Sequence, residues 1–244
     1  MRERIQWSWT GQSIGYWAAV LATLWSLCYI VAYPPWMASV PAWEGIEQYA
    51  AAFDVARYLG WVIPCFLLAV TFPVLMAAVY LYVPVDRRVH GMVALVCAVI
   101  YGAVLSTNYW LLATVVKDAL QSGATDGLEL FVIGSPHSIT NAVEGVGYLF
   151  MGLSMLFAGL AWRVPGRRRK VTKWLLVING RVVIGGVILG VIGWSVGSQI
   201  CLGLWMATLP VATGLLALRF RSDMRTGRTD RTLNTQSCQR EDAK

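Results

Sequence analysis

Charged residues are scarce in this sequence. Only 14% of its 244 residues are Asp, Glu, Lys or Arg, whereas 57% are hydrophobic and the mean hydropathy is +0.57. Soluble domains carry about a quarter of charged residues. The few charges also avoid the long apolar runs, so the composition excludes a soluble globular domain and indicates a membrane protein with several spanning segments.

Motifs for soluble-type chemistry are also missing. No nucleotide-binding loop, nucleophile–histidine arrangement or CxxC pair occurs in the sequence, so we expect no cofactor and no metal. Four of the five cysteines lie within apolar runs, which argues against a disulfide framework. The cysteines are Cys28, Cys65, Cys97, Cys201 and Cys238.

The net charge of +7 does not indicate a nucleic-acid partner. The basic residues lie in loops beside apolar segments, where they determine membrane topology and can contact anionic lipid. We therefore expect no nucleic acid among the partners, and anionic lipid at the basic loops.

Six apolar runs are long enough to cross a bilayer core of about 30 Å. The first is longer than the apolar core of a signal peptide, so we expect it to be retained. Pro34 and Pro35 are expected to end the first span, and Pro64 and Pro73 to bend the second. The spans are about 14–33, 61–83, 92–116, 136–162, 174–196 and 200–218, followed by a polar, basic tail over 219–244 that we expect to be disordered.

The Lys and Arg residues predict the orientation. If both ends are cytoplasmic, the inside holds Arg2, Arg4, Arg87, Arg88, the basic stretch 163–173 and the basic tail, whereas the outside holds only Arg57 and Lys117. Cytoplasmic loops are enriched in Lys and Arg. We therefore predict an all-α, polytopic bundle of six transmembrane helices, with both termini inside, in the cell inner (plasma) membrane.

The loop between the first two spans contains a possible surface helix. Trp43, Ile46, Ala50 and Phe53 share one helical face, which is typical of a helix lying on the membrane surface. An ordinary connecting loop explains the same residues equally well.

The fourth span carries a carboxylate inside the membrane. Ser135 can cap its helix and Pro136 suits the first helical position. His137, Asn141, Glu144 and Tyr148 then follow at i, i+4, i+7 and i+11, on one face. A charge within a membrane helix costs about 2.5–3.5 kcal/mol on the mildest scale, so Glu144 indicates a functional site.

Polar residues of neighbouring spans fall near the same depth. Asn108 lies about 12 Å below the outer surface, as does Glu144, and an extended Arg181 could nearly reach the carboxylate. We predict Glu144, Asn108 and Asn141 as catalytic residues. The predicted substrate-binding residues are Tyr148, Tyr109, Trp110, Tyr101, His137 and Arg181.

Structural explanations exist for the same residues. The two asparagines can simply tie helices together, and the aromatic residues can serve packing. Glu144 and Arg181 can form a buried structural ion pair, or Arg181 can extend inward to the headgroups. His137 can be solvated at the interface.

Glycines recur at helical spacings on two spans. Small residues at such spacings let membrane helices approach closely, so we interpret both series as packing seams. The series are Gly145, Gly152 and Gly159, and then Gly186, Gly190, Gly193 and Gly197.

Three stretches carry a resemblance. Ser106-Thr-Asn-Tyr109, Ser135-Pro-His-Ser-Ile139, and Glu144 with Gly147-Tyr148 occur in this order. The pattern resembles an uncharacterised family of prokaryotic polytopic integral membrane proteins, over about residues 34–160. The resemblance implies that these polar residues belong together, and it carries no function that can be transferred.

Three functions compete at this point. An enzyme would use Glu144 as a general acid or base in the isomerisation or cyclisation of a lipid or isoprenoid. A proton- or cation-coupled transporter of small solutes would use it as the coupling group. A structural, partner-binding protein would use the glycine seams as interfaces. We favour the enzyme.

Overall fold

The computed structural model describes the backbone of residues 9–162 and 167–241, and the side chains of residues 11–162 and 170–225. Within these ranges the chain forms helices and turns but no strand. Arg2, Arg4 and residues 163–166 and 242–244, which entered the topology prediction, lie outside the described residues. The helices are α1 (Trp9–Ser39), α2 (Ile46–Ala51), α3 (Val55–Leu81), α4 (Arg88–Leu111), α5 (Lys117–Ser122), α6 (Ile139–Ala161), α7 (Arg167–Val191) and α8 (Ser195–Glu241).

In the part of the chain that the structure describes, six segments are long and apolar enough to cross a membrane, which confirms the predicted all-helical, six-span class. A π-helical turn, Leu112–Val116, joins α4 to α5, so that residues 85–122 form one span. The other spans are Gly11–Ser39, Val55–Leu81, Ile139–Ala161, Lys170–Val191 and Ser195–Arg225. The chain therefore has the character of an integral membrane protein, and the orientation of its termini stays a prediction.

The spanning helices form a ring in chain order. Each packs mainly against its sequence neighbours, as α1 on α3, α3 on α4, α4 on α6, α6 on α7 and α7 on α8, and α8 closes the ring against α1. Successive spans run in opposite directions, because α4 and α6 pair Asn108 with Thr140 near one end and Ala94 with Ser154 towards the other, and the glycine contacts of the other neighbouring pairs follow the same order. The connections 40–54, 123–138 and 192–194 therefore share one end, called the long-loop end below.

Helices α1 and α3 each contain two prolines. Pro34 and Pro35 lie inside α1, so the prediction that they end the first span is wrong. Proline is tolerated in a membrane helix when neighbouring groups cover the backbone that it leaves without a partner. Pro73 in α3 removes the usual donor to the Ala69 carbonyl. Gly102 of α4 packs there, since a Cβ on it would lie 2.6 Å from Pro73 and 2.9 Å from that carbonyl oxygen.

Helix α6 begins later than the sequence suggested. Its cap is Ser138, whose backbone is extended and whose Oγ accepts a hydrogen bond from the Asn141 N–H at 3.2 Å. The prediction of Ser135 and Pro136 as cap and first residue is therefore wrong. The Thr140 hydroxyl holds Ser138 in the cap position. Its Oγ1 lies 2.7 Å from Ser138 Oγ and donates to the Phe131 carbonyl at 3.0 Å, so that the loop is attached to the start of the helix.

The loop after α1 folds back onto the bundle. Tyr49 of α2 is buried and its ring lies 6.0 Å from that of Trp43, while the Phe53 and Tyr58 rings are 5.2 Å apart. Asp54 then caps α3 by accepting from the backbone N–H groups of residues 56 and 57. The apolar face that would suit a membrane-surface helix, one of the two interpretations left open, thus packs against the protein core.

The last helix continues beyond its predicted end. The backbone of α8 is helical to Glu241, where the composition predicted disorder from residue 219. The stretch 219–241 contains no proline and a single glycine, so its backbone chemistry does not stop the helix.

Candidate functional site

A hydrogen-bonded cluster joins α4 to α6. The Tyr109 hydroxyl donates to Glu144 Oε1 at 2.5 Å and lies 3.2 Å from the Tyr148 hydroxyl. Tyr109 is 1% exposed, so the cluster lies inside the ring of helices. The structure therefore brings together Glu144, Tyr109 and Tyr148 from the predicted set, and these three are called the carboxyl–phenol cluster below.

The cluster borders a large cavity near the long-loop end. The cavity has a volume of about 820 Å³ and is lined by α1, α6, α7 and α8 together with residues 133–134. Ligand pockets typically measure about 300–1,000 Å³. Glu144 and Tyr148 both line it. Of the two oxygens of the Glu144 carboxyl group, Oε1 accepts from Tyr109, and no hydrogen bond between described residues involves Oε2, which is therefore available to a bound molecule.

The cavity exists because α6 and α7 separate along their length. At Gly152 a Cβ would lie 3.0 Å from the Gly180 carbonyl oxygen, and at Gly159 it would lie 3.1 Å from that of Lys173, so the helices touch there. At Gly145, seven residues before Gly152, nothing lies within 4 Å. The expected seam is thus correct for two of its glycines, while the third faces the cavity.

The second glycine series divides in a similar way. Gly186 and Gly190 pack on α8, where their added Cβ atoms would meet Cys201 at 2.8 Å and Ser198 at 3.5 Å. Gly193 and Gly197 lie beyond the end of α7, and Gly193 has a φ of +82° in the turn to α8. The continuous stripe predicted for one helix is therefore wrong, because α7 ends at Val191.

Aromatic rings form a chain along the cavity from the cluster to α1. Successive ring centroids are 5.3 Å apart from Tyr148 to Trp205, 5.8 Å from Trp205 to Tyr29, 4.9 Å from Tyr29 to Tyr33 and 5.5 Å from Tyr33 to Trp36. All except Tyr29 line the cavity. Aromatic faces are electron-rich, so this wall suits a positively charged or strongly polarisable group.

Several buried donors near the site have no hydrogen-bond partner within the described part of the chain. They are Trp205 Nε1, Trp61 Nε1 and the Tyr58 hydroxyl. The Trp61 ring lies 6.1 Å from that of Tyr109. An unpaired buried donor costs about 1–3 kcal/mol, and a bound water or other molecule is one explanation for such a group.

The two predicted amides have different positions. Asn108 is 3% exposed and its Nδ2 donates to the Thr140 carbonyl at 3.4 Å, so it ties α4 to α6 and does not bond to Glu144. Successive helical residues point about 100° apart, and the phase of α4 turns Tyr109 towards the carboxylate instead. Asn141 is exposed and lines the cavity.

Four of the predicted binding residues lie outside the site, and three of these are exposed. Trp110 is 58% exposed and packs on Phe66, because it follows Tyr109 and faces away from it. Arg181 lies on the exposed face of α7 beside Ile178 and, of the ion pairs between described side chains, none joins it to Glu144. His137 is exposed in the turn before α6, so the helical face predicted for it is wrong.

Tyr101 belongs to the core. It is 1% exposed and its ring meets that of Phe72 at 5.2 Å. It lies eight residues, or about 12 Å, along α4 from Tyr109. Its role is therefore packing below the cluster, which matches the structural explanation given for the aromatic residues.

Sequence reasoning missed the aromatic residues of α1 and α8. Tyr29, Tyr33 and Trp36 follow at i, i+4 and i+7, so their shared face was readable from the sequence. Trp205 had no comparable signal, because its partner across the ring of helices is a tertiary contact.

Within the described residues, no group of three or more His, Cys, Asp or Glu side chains could hold a metal ion. Comparisons with protein-family models, with curated proteins and with solved structures found no match. The site's chemistry therefore has to be argued from its own geometry.

Proposed function

We propose that this protein is an intramembrane enzyme that acts on a lipid or isoprenoid substrate by proton-initiated isomerisation or cyclisation. The single observation that carries the proposal is the carboxyl group of Glu144 at the edge of a cavity of about 820 Å³ with aromatic walls. A structural role for Glu144 would be supported by an ion pair with Arg181. The ion pairs between described side chains join other residues, and none joins Glu144 to Arg181.

The cavity supports an apolar substrate that enters from the bilayer. Val146 of α6 and Val191 of α7 line the cavity, and their side chains are 48% and 83% exposed. The cavity therefore opens to the outside of the helix bundle between these two helices. With the predicted orientation, this opening faces the outer leaflet. A substrate dissolved in the lipid can then reach Glu144 without crossing water.

The proposed chemistry needs only the carboxyl group. A carboxyl group in an apolar environment keeps a proton that it can donate to a bound molecule. Its O–H bond breaks, the π electrons of a trisubstituted alkene form a new C–H bond, and a tertiary carbocation results. In an isomerisation, a neighbouring C–H bond then returns its proton to the same carboxylate, and its electrons form the shifted double bond. In a cyclisation, a second alkene of the substrate first attacks the cation and closes a ring, and the new cation then loses a proton to the carboxylate in the same way.

The two phenols hold the acid in place. Tyr109 donates to Oε1, and this leaves Oε2 available to a substrate in the cavity that Glu144 lines. Tyr148 presents its ring to the cavity beside Trp205, where an aromatic face can stabilise the carbocation. No oxidant, reductant or second substrate is required.

Deuterium exchange tests the proposal. The purified protein in lipid nanodiscs is incubated in D₂O with all-trans geranylgeraniol or squalene, and deuterium in carbon-bound positions is measured by mass spectrometry. We expect wild type to label one of the probes. The Glu144→Gln variant should lose at least about 100-fold of the rate, since a general acid contributes about 10²–10⁴-fold.

A matched control uses an acid outside the cavity. Glu129 is exposed in the loop before α6, so Glu129→Gln removes the same charge without touching the site. This variant should exchange at the wild-type rate. Labelling that persists unchanged in Glu144→Gln would contradict the proposed reaction, and Glu144-dependent flux of a solute without labelling would assign the site to a carrier.

A further inference from the structure

We propose that the cavity binds an amphiphilic cation, with an ammonium- or phosphonium-type head beside Glu144 and its apolar part between α6 and α7. The inference rests on the same site as the proposed function and names the charge of its ligand. It also covers a carbocation formed during the reaction, since that carries the same charge in the same place.

The charge of the lining supports a cation. Glu144 carries the single carboxyl group among the described lining residues, and no Lys, Arg or His of the described chain joins it there. Arg181 lies on the exposed face of α7 and does not line the cavity. A cationic head can displace the proton of the Glu144 carboxyl group and pair with the carboxylate in an apolar site, whereas an anionic head would find no positive side chain among the described lining residues.

The aromatic wall supports the same sign. Tyr33, Trp36, Tyr148 and Trp205 all line the cavity. Cations are attracted to aromatic faces within about 6 Å, most strongly to tryptophan and especially where water is absent. A head that leaves the carboxylate therefore still meets electron-rich rings, in a chain with centroid separations of 4.9–5.8 Å from Tyr148 to Trp36.

The shape of the cavity supports an amphiphile with a bulky apolar part. Gly145 leaves open space on α6, and Val182, Val187 and Leu149 add apolar walls. The volume of about 820 Å³ exceeds what a small hydrated ion needs, and it falls within the range of drug-sized ligands. The lining thus combines a few polar side chains with a larger apolar surface.

Two organic ions of nearly equal shape and opposite charge provide the test. Binding of tritiated tetraphenylphosphonium to the full-length protein in nanodiscs is measured by equilibrium dialysis, with empty nanodiscs for lipid partitioning, and tetraphenylborate is the anionic counterpart. We expect saturable binding of the phosphonium and none of the borate. Glu144→Gln should weaken phosphonium binding by about 30-fold or more, as loss of one partner of a buried charge pair does.

A second pair of variants guards against misfolding. Trp205→Leu should weaken phosphonium binding by about 2- to 30-fold, while Trp205→Phe, which keeps an aromatic face, should recover most of it. Glu129→Gln should bind as wild type does. Equal phosphonium binding by wild type and a correctly folded Glu144→Gln, or tight saturable binding of the borate, would overturn the inference.

The two proposals fail separately. Glu144-dependent phosphonium binding without deuterium exchange supports the cation site and contradicts the reaction. Deuterium exchange without phosphonium binding supports the reaction and contradicts the cation site.

Discussion

Replacing Gly152 with alanine should destabilise the bundle, whereas the same replacement at Gly145 should not. Both glycines lie on α6 and belong to one series with a seven-residue spacing. A Cβ at Gly152 would lie 2.8 Å from Ile184 Cγ1 and 3.0 Å from the Gly180 carbonyl oxygen. A Cβ at Gly145 would have no neighbour within 4 Å, because the cavity lies beside it.

The magnitude follows from two opposing effects. Alanine is favoured over glycine within a helix by about 0.8–1.0 kcal/mol, and both variants gain this. Only Gly152→Ala also overpacks a contact against backbone, which costs about 1–3 kcal/mol. The free energies of unfolding of the two variants should therefore differ by about 1–3 kcal/mol, with Gly145→Ala as stable as wild type or slightly more stable.

The assay is reversible unfolding by sodium dodecyl sulfate in mixed micelles, followed by circular dichroism. Wild type, Gly145→Ala and Gly152→Ala are compared under one lipid-to-detergent ratio. If the two variants unfold at the same detergent fraction, or if Gly145→Ala is the less stable one, then α6 and α7 do not separate as described and the cavity between them is wrong.

Two further predictions concern single tyrosines. Tyr109→Phe removes both hydrogen bonds of the carboxyl–phenol cluster, so we expect a loss of about 1 kcal/mol in the same unfolding assay and a larger fall in deuterium exchange. Unchanged exchange would show that Tyr109 does not position the acid. Burial raises the pKa of the Tyr49 phenol. The stability that the buried phenol contributes is therefore fully present below the unfolded pKa of about 10, and it decreases as the pH rises from there towards the higher pKa of the folded state. Tyr49→Phe should therefore move alkaline unfolding to higher pH, and an unmoved transition would contradict this packing of α2.

The six spans were predictable because length and apolarity alone decide whether a segment can cross a bilayer. The same physics does not determine helix ends. Pro34 and Pro35 lie inside α1 although each lacks a backbone donor, and α6 starts at Ser138, where Thr140 ties down the loop before it. The start of α6 thus depends on a contact with this loop and not on the local propensity of Ser135 and Pro136.

The candidate site was predictable only in part. Glu144 and Tyr148 share a helical face, and this period placed both on the cavity side. The choice between adjacent residues of α4 was not available from sequence, since a rotation of about 100° decides whether Asn108 or Tyr109 meets the carboxylate. The opposite wall comes from α1 and α8, whose packing against each other closes the ring.

Carbodiimide labelling of Glu144 tests the central claim most directly. Dicyclohexylcarbodiimide is apolar, partitions into membranes and adds to protonated carboxyl groups, so it reports whether this acid faces an apolar, accessible cavity. Peptide mass spectrometry should find the adduct on Glu144 in wild type, and Gly145→Leu, which fills the open space beside it, should prevent the reaction without unfolding the protein. Absence of the adduct from Glu144 in folded wild type would contradict the account.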